Sequence, residues 1–296
     1  MTSWIGHRCA ATLVASVLSL AVGFVAPAIA QQKPETPTER QEPRRAPSGE
    51  REHYQLKAGI SYEQGDYGTG DESRAIYAPL TFKYLGERFD VGLTVPWLYL
   101  ESEEGVTQVD GDVTRGRGRG QGRRGRERDV SAAGLGDISL KGRWFLLDDQ
   151  PASWIPALTP FARIKFPTAD EDRNLGTGEA DFGFGVEFDK QFGRTFVFGD
   201  VSYTVIGDPP GEEFRNRPGA SLGVGYDVTP ALTASAQIDW RRALVSGSDD
   251  PVDLIATLAI RLSRTVSIIP SLVIGLTNGS PDFGLGVEVT YKFGRY

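Results

Sequence analysis

The stretch that decides the fold is TPFARIKFP (159–167), TADEDRNLGTGEA (168–180) and DFGFGVEF (181–188). Its first arm sets Pro160, Ala162, Ile164 and Phe166 on one parity and Thr159, Phe161, Arg163 and Lys165 on the other. The second arm sets Phe182, Phe184, Val186 and Phe188 against Asp181, Gly183, Gly185 and Glu187. Successive side chains of a strand point to opposite faces, so each arm has one oily face and one polar or empty face. The connecting segment is long, acidic and Gly-rich. A hairpin of this kind suits lipid on one side and a wet lumen on the other.

The rest of the chain repeats the unit. From His53 onward twelve such patterns follow, each about ten residues long. The first puts Tyr54, Leu56, Ala58, Ile60 and Tyr62 on its oily face, and the last Phe283, Leu285, Val287, Val289, Tyr291 and Phe293. At roughly 3.3 Å per residue and a tilt near 40°, a strand of that length crosses an apolar band about 25 Å tall. The connections alternate: short at 85–88, 148–156, 190–194, 229–230 and 263–265, longer elsewhere. The expected fold is all-β: a twelve-stranded antiparallel transmembrane barrel of the outer-membrane type, with short periplasmic turns and long extracellular loops. A soluble β-sandwich also alternates. Aromatics at strand ends, as in Trp97 with Tyr99 and Tyr291 with Phe293, and charges in mid-strand on the polar faces favour the barrel. Pro79, Pro96, Pro160 and Pro270 fall inside strands and are expected at bulges or at a rim.

Residues 1–30 read as a secretory signal: Arg8 in a short polar stretch, an apolar run, and an A-x-A cleavage site at Ala28-Ile29-Ala30. The alternative, a transmembrane anchor, lacks a basic stop-transfer flank. Cleavage would remove Cys9, the single cysteine, and would take the formal charge from −7 to −8. Such a chain enters an oxidising compartment and needs no disulfide. Residues 31–51, QQKPETPTERQEPRRAPSGER, are Pro-rich and charged, cannot bury a core, and are expected to be disordered. Residues 52–296 form the barrel, with an Arg/Gly-rich loop over 102–133. No stretch after the signal has eighteen consecutive apolar residues, so a membrane location requires a closed barrel.

Four segments carry a resemblance. GLGDISLK (134–141) opens the fourth strand; KFPT (165–168) is followed by NLGTG (174–178); DFGFG (181–185) and SPDFGLG (280–286) complete the set. Together they resemble the outer-membrane proteins named for a MetA pathway of phenol degradation, over about two thirds of the chain. Ala169 stands where that pattern suggests a glycine, and the arginine-rich loop looks like an insertion. The resemblance implies a bacterial outer-membrane barrel that transports small, including aromatic, compounds. Its implied partners are outer-membrane lipid and lipopolysaccharide, a small-molecule solute and the barrel-insertion machinery.

Two groups of residues could carry chemistry. The long loop holds Arg115, Arg117, Arg119, Arg123, Arg124, Arg126 and Arg128. Behind a secretory signal, nucleic acid is not the expected partner. The plain reading is a solvated loop; sharper ones are contact with lipopolysaccharide phosphates or a mouth that concentrates anions. The second group is the inferred lumen lining: Lys57, Lys141, Arg143, Arg163, Lys165, Arg241 and Arg261, with Asp181, Glu187, Asp239, Asp253 and Glu288. These charges suit either a cross-strand ion-pair network that holds the barrel or a constriction that sorts solutes. Inward glycines such as Gly183, Gly185, Gly223 and Gly225 leave room for a pore or serve twist and closure.

No catalytic, metal-binding or cofactor-binding residue is expected. His53, the one histidine beyond the signal, lies at the start of the first strand. A serine hydrolase needs a histidine base at the reacting interface. The functional expectation is passive or substrate-biased passage of small molecules, aromatic or hydrophobic compounds among them. The alternatives are a non-conducting barrel whose loops bind a partner or lipopolysaccharide, and an outer-membrane lipid hydrolase.

Overall fold

The computed structural model describes residues 52–67, 72–102, 106–109, 112–115, 130–150, 153–211 and 213–295. The expected signal, the Pro-rich segment 31–51 and the arginines at 117, 119, 123, 124, 126 and 128 lie outside the described residues.

The described residues contain fifteen strands. They are β1 (Glu52–Gly65), β2 (Ser73–Leu85), β3 (Phe89–Ser102), β4 (Val106–Val109), β5 (Asp112–Arg115), β6 (Val130–Leu135), β7 (Ser139–Trp144) and β8 (Ala157–Lys165), followed by β9 (Asp181–Phe192), β10 (Thr195–Val205), β11 (Arg217–Thr229), β12 (Leu232–Arg241), β13 (Val252–Arg261), β14 (Val266–Gly275) and β15 (Phe283–Arg295). Neighbours pair antiparallel along the chain, and β15 pairs back onto β1, so the wall is closed. It has twelve staves, because β6 and β7 share one: both pair with β3, β6 with its upper half and β7 with its lower half. A closed wall satisfies every backbone group across lipid. The chain is therefore an outer-membrane-type barrel. The stretch read from the sequence as the loop 102–133 is part strand: β4 and β5 form a hairpin within it, and β6 begins at Val130. Arg115 is the last residue of β5.

The parities hold. Leu80, Phe82, Phe184, Val201, Leu222 and Leu285 are all exposed on the outer face, where lipid replaces water. Inward neighbours such as Lys57, Lys83, Asp90, Glu187 and Asp253 are buried in the lumen. At the periplasmic end Tyr54 packs between Phe82 and Phe293, with ring centroids 5.7 and 5.6 Å away, and Tyr84 meets Phe89 at 5.8 Å. This is half of an interfacial aromatic girdle.

Two of the four internal prolines stand at bulges. The two residues between Thr94 and Trp97, Pro96 among them, face the three between Leu135 and Ser139. The two between Leu158 and Phe161, Pro160 among them, face the three between Arg143 and Leu147. Pro79 and Pro270 mark neither a bulge nor the rim. Each of the four keeps one ladder continuous and interrupts the other, because it has no N–H to donate. Pro79 faces Pro96 in an unbroken β2–β3 ladder, while the β1–β2 register skips from Ala58 to Ser61. Pro96 stands where β3 passes from β7 to β6. Pro160 keeps its β9 partner Val186 but has none on β7. Pro270 keeps Val287 and falls in the gap between Thr257↔Ser271 and Ile260↔Ile268.

The break in the shared stave explains the GLGD and KFPT segments. Gly136 N donates to Pro96 O at 3.0 Å, and a Cβ at Gly136 would stand 2.6 Å from Leu98 Cδ1. The Asp137 carboxylate then accepts the backbone N–H groups of Thr168 and Ala169, each at 2.9 Å, and lies 3.0 Å from Lys165 Nζ. Thr168 Oγ1 accepts Ile138 N at 2.8 Å. These bonds clasp the loop 166–180 to the kink. Gly176 sits where a Cβ would meet Asp137 Oδ2 at 2.9 Å, and Gly178 has φ +76°.

Candidate functional site

Within the barrel the inward side chains form three zones from mouth to base. At the extracellular end Tyr67, Ala75, Tyr77, Leu98, Leu100, Ala132 and Leu175 make a buried apolar cluster under the loops. Tyr67, in the turn after β1, has φ 49°. Its hydroxyl is buried with no hydrogen-bond partner among the described residues. Burial, and then the nearby Glu63 and Asp253 carboxylates, hold its pKa well above the ordinary tyrosine value. A second small cluster, Ile206, Phe214 and Leu244, packs between the loops after β10 and β12.

At the base, Phe196 and Phe198 are 2% and 1% exposed, with ring centroids 5.6 Å apart. Their direct cross-strand partners are Gly225 and Gly223. Gly185 likewise leaves its space to Phe161, whose Cε1 would be 2.7 Å from a Cβ there. Several glycines that the sequence offers as room for a pore are therefore filled by rings. The signal was present in the sequence: two phenylalanines two residues apart on one strand, and two glycines at the same spacing on the next.

Between these zones lies a cavity of about 300 Å³. Its wall is ordered by register. One row of directly opposed residues runs Lys83, Gly92, Lys141, Arg163, Gly183, Thr204, Arg217. A second row, nearer the base on β9 to β11, runs Glu187, Asp200, Ser221, Asp239, Asp253. Glu187 faces Asp200 and Asp239 faces Asp253, and like charges placed directly opposite repel. Cations lean across to offset this. Lys141 Nζ is 2.8 Å from Glu187 Oε1, and Arg143 Nη1 is 3.6 Å from Glu187 Oε2. Arg241 Nε is 2.9 Å from Asp239 Oδ1, and its Nη2 bonds Asp253. Lys57 meets Glu288 at 3.1 Å on the opposite wall.

Of the residues assigned to the lumen from sequence, Lys57, Lys141, Arg163, Glu187, Asp239, Arg241 and Glu288 line this cavity. Arg143 and Asp253 lie in the wall beside it, held by Asp90 and Arg241. Lys165 and Asp181 pair at 2.8 Å, close to the loop clasp. Arg261 is placed elsewhere: it is exposed at the periplasmic rim, donating to Pro230 O at 2.9 Å. Its parity is inward, but parity carries no depth. Phe161, Arg217, Asp200 and Lys83 also line the cavity and were not on the sequence-derived list. His53 opens β1 at the periplasmic end.

The fold is similar to that of the COG4313 outer membrane channel from Pseudomonas putida F1, at 16% identity and TM-score 0.59, covering 84% of this chain and 97% of that one. It is also similar to the translocator domain of the autotransporter NalP from Neisseria meningitidis, at 11% identity and TM-score 0.53, covering 81% and 88%. At these identities the likeness is one of architecture. A family model described as "Putative MetA-pathway of phenol degradation" matches residues 69–295. The kink motif, the clasped loop and the closing hairpin all fall in that span, and the chain belongs to this family.

Proposed function

We propose that the protein is a channel that passes small solutes across the outer membrane by diffusion biased by its lumen wall. The observation that carries this reading is the mid-lumen cavity of about 300 Å³, lined by charged, hydroxyl and glycine residues inside a closed wall. The paired charges also hold the wall together across strands; the open cavity between them is what a barrel serving only as a surface scaffold does not need. The apolar cluster at the mouth and Phe161 in the cavity wall favour aromatic compounds among the solutes, as does the family description. Both ends of the cavity are narrowed, by the clasped loop above and by Phe196 and Phe198 below, so passage requires side-chain or loop movement. The test is planar-bilayer recording on the refolded barrel. Stepwise current is expected, and its absence at all voltages would overturn the channel reading. Deleting residues 115–128 in the same recordings checks the mouth role of the loop arginines, which unchanged anion current would remove.

A further inference from the structure

The cavity wall is built from ion pairs rather than from charges of one sign. Among the described residues that line it are six basic groups (Lys57, Lys83, Lys141, Arg163, Arg217, Arg241) and five acidic ones (Glu63, Glu187, Asp200, Asp239, Glu288). Three pairs lie within it at different points of the circumference: Lys57 with Glu288, Lys141 with Glu187, and Arg241 with Asp239. All six side chains are no more than a quarter exposed. This arrangement determines which solutes can bind. A singly charged solute that takes one member of a pair leaves the other buried with less compensation (Glu187 then keeps Arg143 Nη1 at 3.6 Å, Arg241 keeps Asp253), which is unfavourable. An uncharged solute displaces neither. A zwitterion inserted between the two members satisfies both at once.

One of the three pairs has a further feature. Lys141 Nζ sits 4.3 Å from the centroid of Phe161, so the ammonium lies between the Glu187 carboxylate and an aromatic face. Those two groups attract any ammonium, including a quaternary one that cannot donate a hydrogen bond. Arg163 is directly opposite Lys141 in the cationic row and also lines the cavity. Gly183 follows it in that row, and a Cβ there would be in ordinary contact with Thr204 Oγ1 at 3.4 Å and Arg163 Nε at 3.5 Å, so the glycine leaves about one methyl group of room beside the arginine.

We propose that the waist of the barrel is a binding site for small zwitterions: the solute's ammonium seated on Phe161 and Glu187, its carboxylate on Lys141 and Arg163. The site discriminates against solutes of the same shape that carry only one of the two charges. This deepens the channel reading and rests on it for the transport that the site would bias.

The test uses three probes of one shape: betaine, the cation choline, and the anion 3,3-dimethylbutanoate, the carbon analogue of betaine. Binding to the refolded barrel is measured in detergent micelles by saturation-transfer NMR, with heat-modifiable migration on gels as the check that each variant is folded. Betaine is expected to bind at least ten-fold more tightly than either singly charged probe. Glu187→Gln leaves Lys141 in excess and should shift the preference toward 3,3-dimethylbutanoate by about ten-fold. Lys141→Met should shift it toward choline, by less, because Arg143 Nη1 still lies 3.6 Å from Glu187 Oε2. Phe161→Leu should weaken betaine and choline several-fold and leave the anion unchanged. Wild-type binding that is equal for the three probes, or absent for all, overturns the proposal. So does a shift of the same sign in Glu187→Gln and Lys141→Met. A lack of bilayer current, in contrast, defeats the channel reading and leaves this ordering intact.

Discussion

Phe196 and Gly225 stand directly opposite each other across the β10–β11 ladder, and a Cβ on residue 225 would lie 1.7 Å from Phe196 Cζ. The ring is accommodated only because its partner has no side chain. Gly225→Ala should therefore destabilise the barrel by about 1–3 kcal/mol through overpacking. Phe196→Gly in the same background should recover most of that loss, which urea unfolding in detergent would read. Phe196→Gly alone should raise single-channel conductance, because one of the two rings at the base is gone.

Arg143 and Asp90 form a second buried couple, with Nε 2.9 and 3.0 Å from the two carboxylate oxygens. Removing one member leaves a buried charge held by a longer contact, Lys83 at 3.9 Å for Asp90 or Glu187 at 3.6 Å for Arg143. Arg143→Met or Asp90→Leu should each cost about 3–5 kcal/mol, and the double variant clearly less than the sum. The unfolding free energies of all three variants check it.

The parity of the wall can be tested at adjacent residues of one strand. Leu222 is among the most exposed apolar residues of the outer face, while Ser221 points inward and donates to Asp200. Leu222→Arg should cost about 2–4 kcal/mol if it lies near the bilayer midplane. Ser221→Lys, which gives Asp200 and Asp239 a cation, should cost less. Unfolding in lipid vesicles would measure both, and equal losses would contradict the assignment of faces.

The clasp at Asp137 predicts a local effect. Asp137→Ala removes the acceptor of two backbone N–H groups, at Thr168 and Ala169, worth about 1–3 kcal/mol each when left unsatisfied. The amides of 166–180 should exchange hydrogen at least ten-fold faster, while those of β10 to β12 remain as in the wild type.

Tyr67 gives a pH prediction. Its pKa is raised in the fold by burial and by Glu63 and Asp253, so the folded state holds the phenol proton more tightly than the unfolded chain does. Below the ordinary tyrosine value of about 10 both states are protonated and the shift has no effect. Above it the unfolded chain deprotonates first, and stability falls as pH rises. Tyr67→Phe should lose less stability than the wild type between pH 10 and 11.5 in alkaline unfolding titrations.

The wall of the barrel was legible in the sequence because its signal is local. Phe182, Phe184, Val186 and Phe188 alternate with Asp181, Gly183, Gly185 and Glu187, and the structure keeps that division. What fills the lumen was less legible, because it depends on partners far apart in the chain. Gly223 and Gly225 become ring sockets only through the β10 register. Ile255, Ile269 and Val273 are buried inside the barrel on the parity of Asp253, Thr257 and Ser271, so alternation gives their face but not that apolar groups fill the lumen there. The stave shared by β6 and β7 was missed because the kink is made by Asp137 reaching loop residues some thirty positions away.

The seam between β1 and β15 has a consequence for biogenesis. Tyr54 to Gln64 find their partners in Phe283 to Phe293, so the earliest strand of the wall is completed by the latest one. Translation delivers those two edges at opposite ends of synthesis. Through that interval β1 carries a raw row of donors and acceptors, the template on which chains stick to one another. Assembly of the ring is therefore a whole-chain event, and whatever guards that first edge while the polypeptide waits takes part in its folding.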